Sequence, residues 1–428
     1  MGLFYIYSNK EGAGAMNEMN VQEKRQKDSW EEVFPREAED ALIQNVMEME
    51  ENSEWIPGIT AKDIRLESLD DRPLFLDSQI QYYHLDNFSL AEDTALYGTR
   101  LLIYTGTRAH QNGRMYELVR DTAVSGLHRV ARLNGNSLGQ MTREKYCETM
   151  NNGFETAKGT ALGLIRYGKL SGLHSGSDGG YMTMPISRLL DITADTVTRR
   201  FGTAVMAGGY NSHGFTKAMW ELPNAQNRLI DMYQKALYES GNSTLYAVNF
   251  MPGVDFYSSD TAASAASLDP VFFKPNGTPM RFIEGIKVKH LRRGDAKDKD
   301  GLILFAEGAD NIFAKFEDTA KVIAKLAGIK IRNPENCCIR LCNRYHISPK
   351  YGQAALEEIE RIAMGEMYIT AHDLYIGMTE VLSEAERCDA SRKVITKLEE
   401  SLAKIVRTDF SEDDVSGTVA WGQVQTAA

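Results

Sequence analysis

Apolar residues in this chain recur at helical spacing in several blocks. Across 115–133, Leu118, Val119, Ala123, Leu127, Val130 and Ala131 share one helical face, and Asn134-Gly135-Asn136 follows as a stop. The same spacing predicts helices over 142–154, 185–201 (Pro185 in the first turn), 223–238, 313–326, 336–343 and 353–367. A short helix is expected near 30–49, where Phe34, Leu42, Ile43 and Val46 recur. Alternating or continuous apolar runs predict strands over 160–167, 203–207, 216–222, 246–250, 280–291 and 302–305. A hairpin-like loop is expected at 208–214. The stretches 171–180 and 253–280, rich in Gly, Ser and other small residues, read as loops. From 371 to 406 the apolar positions 374, 378, 381, 385 and 388, then 395, 398, 402 and 405, form a seam with a phase break near Ser391-Arg392. Such a seam packs either on the core or against another subunit.

These elements mix without a regular strand–helix alternation, so the expected class is α+β: a single mixed sheet core flanked by helices, a C-terminal helical segment and polar tails. The expected divisions are an acidic, mostly flexible tail over 1–58, a core over 59–350, a helical segment over 351–408 and a tail over 409–428. The chain has 428 residues and is 43% apolar, enough for a sizeable core. No run approaches the ~18 apolar residues of a membrane helix. The five cysteines form an odd, sparse set and read as reduced thiols, so the expected location is the cytoplasm, that of a bacterial host if the gene is phage-encoded.

Charge changes this picture. The whole chain is acidic, with 48 Lys and Arg against 59 Asp and Glu, yet residues 274–350 hold 16 basic side chains against 9 acidic ones. Residues 1–60 hold 5 against 13, and residues 351–428 hold 7 against 15. A basic island between acidic ends points to an anionic partner, nucleic acid first. Its densest part is Lys287, Lys289, His290, Arg292 and Arg293, joined by Lys297 and Lys299. On a strand, Lys287 and Lys289 would share one face while Ile286 and Val288 point inward, giving a stripe suited to phosphates. A solvated hairpin tip neutralised by Asp295, Asp298 and Asp300 is the bland reading of the same residues.

Other candidates are weaker. Cys338, Cys342 and His346 with Cys337 resemble zinc ligands, but positions four apart along one helix span ~12 Å from first to last and cannot converge on one ion. No metal and no cofactor is expected, and buried thiols are the preferred reading. The stretch 171–180 holds Ser, His and Asp, but neither a nucleophile elbow nor a Walker loop. Ser258-Ser259-Asp260-Thr261 follows Phe256 and Tyr257 and reads as a turn, with hydroxyls and ring faces that could meet a base. No paired-carboxylate or His-Glu-x-x-His pattern argues for an enzyme.

The order of features resembles the phage- and plasmid-encoded conserved proteins grouped as domain of unknown function 932. The resemblance rests on Arg132-Leu133-Asn134, Leu164-Ile165-Arg166, Gly180-Tyr181, the Pro-led helix at 185–190, Tyr257-Ser258-Ser259-Asp260-Thr261-Ala262-Ala263-Ser264 and Lys287-Val288-Lys289-His290. It covers roughly residues 90–350. That family's loop reads closer to Arg-Ala-x-x-Ser-x-x-Tyr, whereas 166–181 here is longer and glycine-rich. The resemblance implies a mobile-element origin and a role near DNA metabolism, and it carries no catalytic residues over. The expectation is an accessory protein that binds nucleic acid, single strands included, through Arg166, Tyr257, Lys287, Lys289, His290, Arg292, Arg293 and Lys297, with Tyr257 stacking on bases. The alternatives are an assembly protein that self-associates through the C-terminal seam and, behind it, a hydrolase or nuclease.

Overall fold

The computed structural model describes residues 24, 30–68, 99–104, 114–175, 180–240, 249–261, 264–290 and 300–422. The class is α+β, with a helical C-terminal segment. Where one sheet is expected, the described strands divide into two large sheets and a small ribbon.

The first large sheet has seven strands. Its path runs β1 (Glu31–Phe34), β8 (Val205–Ser212), β9 (Thr216–Glu221), β10 (Met251–Ser258), β11 (Ala266–Phe273) and β12 (Pro279–Met280), with β13 (Ile286–Val288) also on β11. Every pairing in it is antiparallel. Its inner face carries Trp220, Val254, Phe256, Leu268 and Phe272, all buried in the main core. That core includes α1 (Glu39–Glu51), α4 (Ile186–Phe201), α5 (Gln226–Glu239), α6 (Gly301–Ala309) and α7 (Ile312–Ala327).

The second sheet has six strands in the order β2 (Ser53–Thr60), β6 (Thr160–Arg166), β7 (Lys169–Ser175), β5 (Arg114–Val119), β4 (Thr99–Tyr104) and β3 (Ile64–Ser68). Only β5 and β7 pair in parallel. Tyr167 and Gly168 turn β6 into β7 with φ of 50° and 77°, the two positive values a tight hairpin of this twist requires. One face of the sheet buries Ile56, Ile165 and Leu173 against α2 (Asp121–Val130) and α3 (Arg143–Thr156). Gly126 lets α2 lie against β7, since a Cβ there would stand 2.3 Å from the Leu173 carbonyl oxygen.

The C-terminal part holds β14 (Lys330–Ile331), α8 (Pro334–Arg344), α9 (Pro349–Ala363), β15 (Ile369–Thr370), α10 (Ala371–Met378), α11 (Glu380–Arg387) and α12 (Arg392–Ile405). The seam residues Leu374, Met378, Val381, Ala385, Ile395, Leu398, Leu402 and Ile405 are all buried in the main core. Their apolar surface is therefore spent within the chain. No helix among the described residues is long and apolar enough to cross a membrane.

Several expectations are corrected. Residues 30–58 are not a tail, because β1 pairs with β8 and β2 with β6. Residues 410–422 also pack on the core, with Phe410 fully buried. The start of the expected 115–133 helix is β5, and β7 runs through half of the expected loop at 171–180. The 208–214 loop is mostly β8. Leu302-Ile303-Leu304-Phe305 lies in α6, where the Asp300 side chain caps the Leu302 amide at 2.7 Å. The expected strand at 246–250 falls largely outside the described residues. Most telling, 253–280 contains β10 and β11 rather than loop. Both are covered on both faces, so no alternation marks them.

The outer face of the first sheet meets α11 and α12 through charges. Lys217 lies 2.5 Å from Glu399 and 3.3 Å from Asp255, and Arg281 pairs with Asp255 and lies 3.0 Å from Asp269. Arg392 lies 3.0 Å from Glu31 and 3.9 Å from Glu386. Carboxylates outnumber cations here. Burial therefore pushes the Glu386 carboxyl up to about 7, with Arg392 and Lys217 opposing the shift. A raised carboxyl binds its proton more tightly folded than unfolded, so its contribution to stability falls as pH rises from the ordinary carboxylate range to about 7. Glu386→Gln should therefore match the parent in thermal melting near pH 4 and exceed it at pH 8 by roughly 1–3 kcal/mol. An equal offset at both pH values would contradict this charge assignment.

Candidate nucleic-acid interface

Cross-strand register assembles the candidate site. Tyr210, Lys217, Tyr257, Ser267 and Lys287 are successive partners across β8, β9, β10, β11 and β13. Directly opposed residues share a sheet face, so these side chains form one row on the outer face. Two strand spacings separate Tyr257 from Lys287, about 10 Å. Lys287, on β13, and Lys289, one residue beyond it, are exposed, while Ile286 and His290 are buried, which is the expected alternation. Among the described residues no carboxylate lies within ion-pair distance of either lysine. Lys217, in the same row, is buried against Glu399 and Asp255 and offers no free charge.

Aromatic rings adjoin the lysines. Tyr257 is half-buried, with the Arg281 guanidinium 5.4 Å from its ring centre, and burial pushes its hydroxyl up to about 12. Phe215, also half-buried, lies 6.0 Å from Tyr257 at 24° between ring planes. Tyr210 lies 5.7 Å beyond at 29° and is buried beneath Arg392, whose guanidinium is 5.5 Å from the ring.

Two sequence candidates do not belong to this surface. His290 points to the opposite face, because Lys287 and Lys289 alternate with it; its Nδ1 lies 3.1 Å from the Met182 carbonyl. Arg166 is fully buried, and its guanidinium is committed to Asp260 and the His213 carbonyl, with Nε donating to Ser53 Oγ at 3.0 Å. Neither can meet a phosphate without opening the fold. Arg292, Arg293 and Lys297 lie outside the described residues, as does Lys299. Tyr257, Lys287 and Lys289 remain together.

Arg166 and His290 instead belong to the junction between the sheets. Arg166 ends β6 of the second sheet, Asp260 follows β10 of the first, and their ion pair bridges the two. Tyr181 donates from its hydroxyl to the Asp260 carbonyl at 3.0 Å. Its ring is stacked with His174 at 3.7 Å and with His290 at 5.2 Å, and half-buried Trp55 lies 5.6 Å away. Burial lowers the His174 imidazole to about 4, with the nearby Asp260 opposing the shift, and burial likewise lowers His213 and His290. The pile is therefore uncharged at neutral pH. Ser259 and Thr261 donate to the Gly214 carbonyl at 2.6 and 3.1 Å, so these hydroxyls brace the junction rather than face solvent. Cys337, Cys338 and Cys342 are buried thiols, with Cys338 Sγ 3.5 Å from the Met378 sulfur, while His346 is exposed beyond α8.

Sequence reasoning missed Asp260, Tyr181 and His174 as one unit. The available signal was Arg166 itself, a lone charge closing an apolar strand, which requires a buried partner. Arg166→Met should destabilise the protein by roughly 3–5 kcal/mol in denaturant unfolding, because it strands the Asp260 carboxylate. Arg166→Met with Asp260→Leu should recover part of that loss; a double variant no better than the single one would refute the pairing as the cause. Compared with family models, with curated proteins and with solved structures, the chain matches none.

Proposed function

We propose that this chain is a nucleic-acid-binding accessory protein, of the mobile-element kind its sequence resembles, that takes the phosphate backbone on the β13 edge. The observation that carries the reading is the shared face of Tyr257, Lys287 and Lys289: two exposed ammonium groups with no carboxylate partner among the described residues, near a half-buried ring. The segment that continues from His290 adds Arg292, Arg293, Lys297 and Lys299 in sequence. Lysines at a sheet edge also discourage strand-to-strand aggregation, a role that needs no ligand. Salt dependence separates the two, because displacement of condensed counterions is specific to a polyanion. Self-association through the C-terminal seam finds less support, since that seam would first have to unpack from the core.

The test is a fluorescence anisotropy titration of a labelled oligonucleotide over a range of salt concentrations. Replacing Lys287, Lys289, Arg292 and Arg293 together by Ala should weaken binding by roughly tenfold or more and flatten the dependence on log salt by about 0.7 to 0.9 per lost phosphate contact. A quadruple variant with the parent's affinity and slope would mean that the island is only a solvated edge.

A further inference from the structure

We infer that Phe215 is the base-stacking residue of this surface and that it makes the protein selective for unpaired strands over duplex; this rests on the nucleic-acid reading above. Three rings line the outer face across β8, β9 and β10, and their surroundings differ. Tyr210 is buried with Arg392 against its ring, and Tyr257 has Arg281 beside it. Phe215 carries no hydroxyl and has no cation over its ring among the described residues, and it is half-buried at the entry to β9. Its position is held by Ser212, whose amide donates to the Phe215 carbonyl at 2.9 Å and whose Oγ accepts from the Phe215 amide at 3.1 Å. The ring is thus fixed by backbone bonds at its root and by Tyr210 and Tyr257 at its flanks, 5.7 and 6.0 Å away.

A fixed aromatic face is matched to a base whose own face is free. In a duplex both faces of each base are covered by neighbours, so stacking on Phe215 would first require unstacking. An unpaired strand has no such cost, and any base has a π-face to offer. Charge placement fits the same ligand. Lys287 and Lys289, which pair with no described carboxylate, lie on the β13 side of the rings, whereas Asp255 and Asp269 stand two residues along β10 and β11 from Tyr257 and Ser267 and are held by Lys217 and Arg281. A strand with its bases on the rings can lay its phosphates on the lysines. The sequence does not advertise Phe215, because it follows Gly214 in the turn before β9 and only register brings it beside Tyr257.

The experiment compares three labelled ligands of equal length: an oligodeoxyadenylate, an abasic strand with the same phosphates, and a duplex. The parent should bind the adenylate more tightly than the abasic strand by roughly tenfold per stacked base, and more tightly than the duplex. Phe215→Leu, which keeps apolar packing without an aromatic face, should lose most of that advantage and leave binding of the abasic strand unchanged; thermal melting confirms its fold. Equal affinities of the parent for adenylate and abasic strand, or an unchanged preference in Phe215→Leu, would overturn stacking while leaving the lysine reading intact. If the parent binds none of the three, the nucleic-acid reading falls and this inference with it.

Discussion

The buried ion pair between Arg166 and Asp260 is the constraint on which the arrangement of the two sheets depends. Each charge alone would be costly in the interior, and the guanidinium also donates to Ser53 and to the His213 carbonyl. These partners come from β2, from the turn between β8 and β9, and from the end of β10, so one side chain fixes the relation of three elements. Net stabilisation by such a pair is often small, but the cost of breaking it is large. It acts as a register pin: misaligned packing of the sheets would leave two uncompensated charges.

From that pin the functional surface follows. With Asp260 held, Tyr181 bonds to its carbonyl and stacks on His290, and the Met182 amide donates to the His290 carbonyl at 2.8 Å. His290 is thereby drawn inward. Alternation along the chain then turns Lys289 and Lys287 outward, onto the face of Tyr257 and Phe215. The residues that present the cations are thus anchored by groups that do not touch the ligand. On the far part of the same face, α11 and α12 cover the sheet through a carboxylate-rich cluster.

The sequence made some of this legible and hid the rest for physical reasons. The helices α3, α4, α7 and α12 stand out because each buries one stripe and ends near Gly or a polar break. Outward Lys287 and Lys289 were also readable, because β13 is an edge strand with one exposed side. The strands β10 and β11 were not, since burial on both faces erases the two-residue period. The stretch 302–305 misled because a short apolar run fits a strand or a buried helix equally. Among site residues, Arg166 carries the right charge for phosphate but, like His290, has the wrong address, which pairing and parity decide. Asp255 and Asp269 within apolar strands, like Arg166, were the hints that charges are matched inside this protein.

Hydrogen exchange by mass spectrometry on Arg166→Met tests the central claim most directly. If this pair pins the sheets together, exchange should accelerate at 180–182, 213–216 and 258–261, while the centres of β6, β10 and β11 stay protected. Uniform acceleration across both sheets, or none at the junction, would show that apolar packing alone sets their relation and would contradict the account.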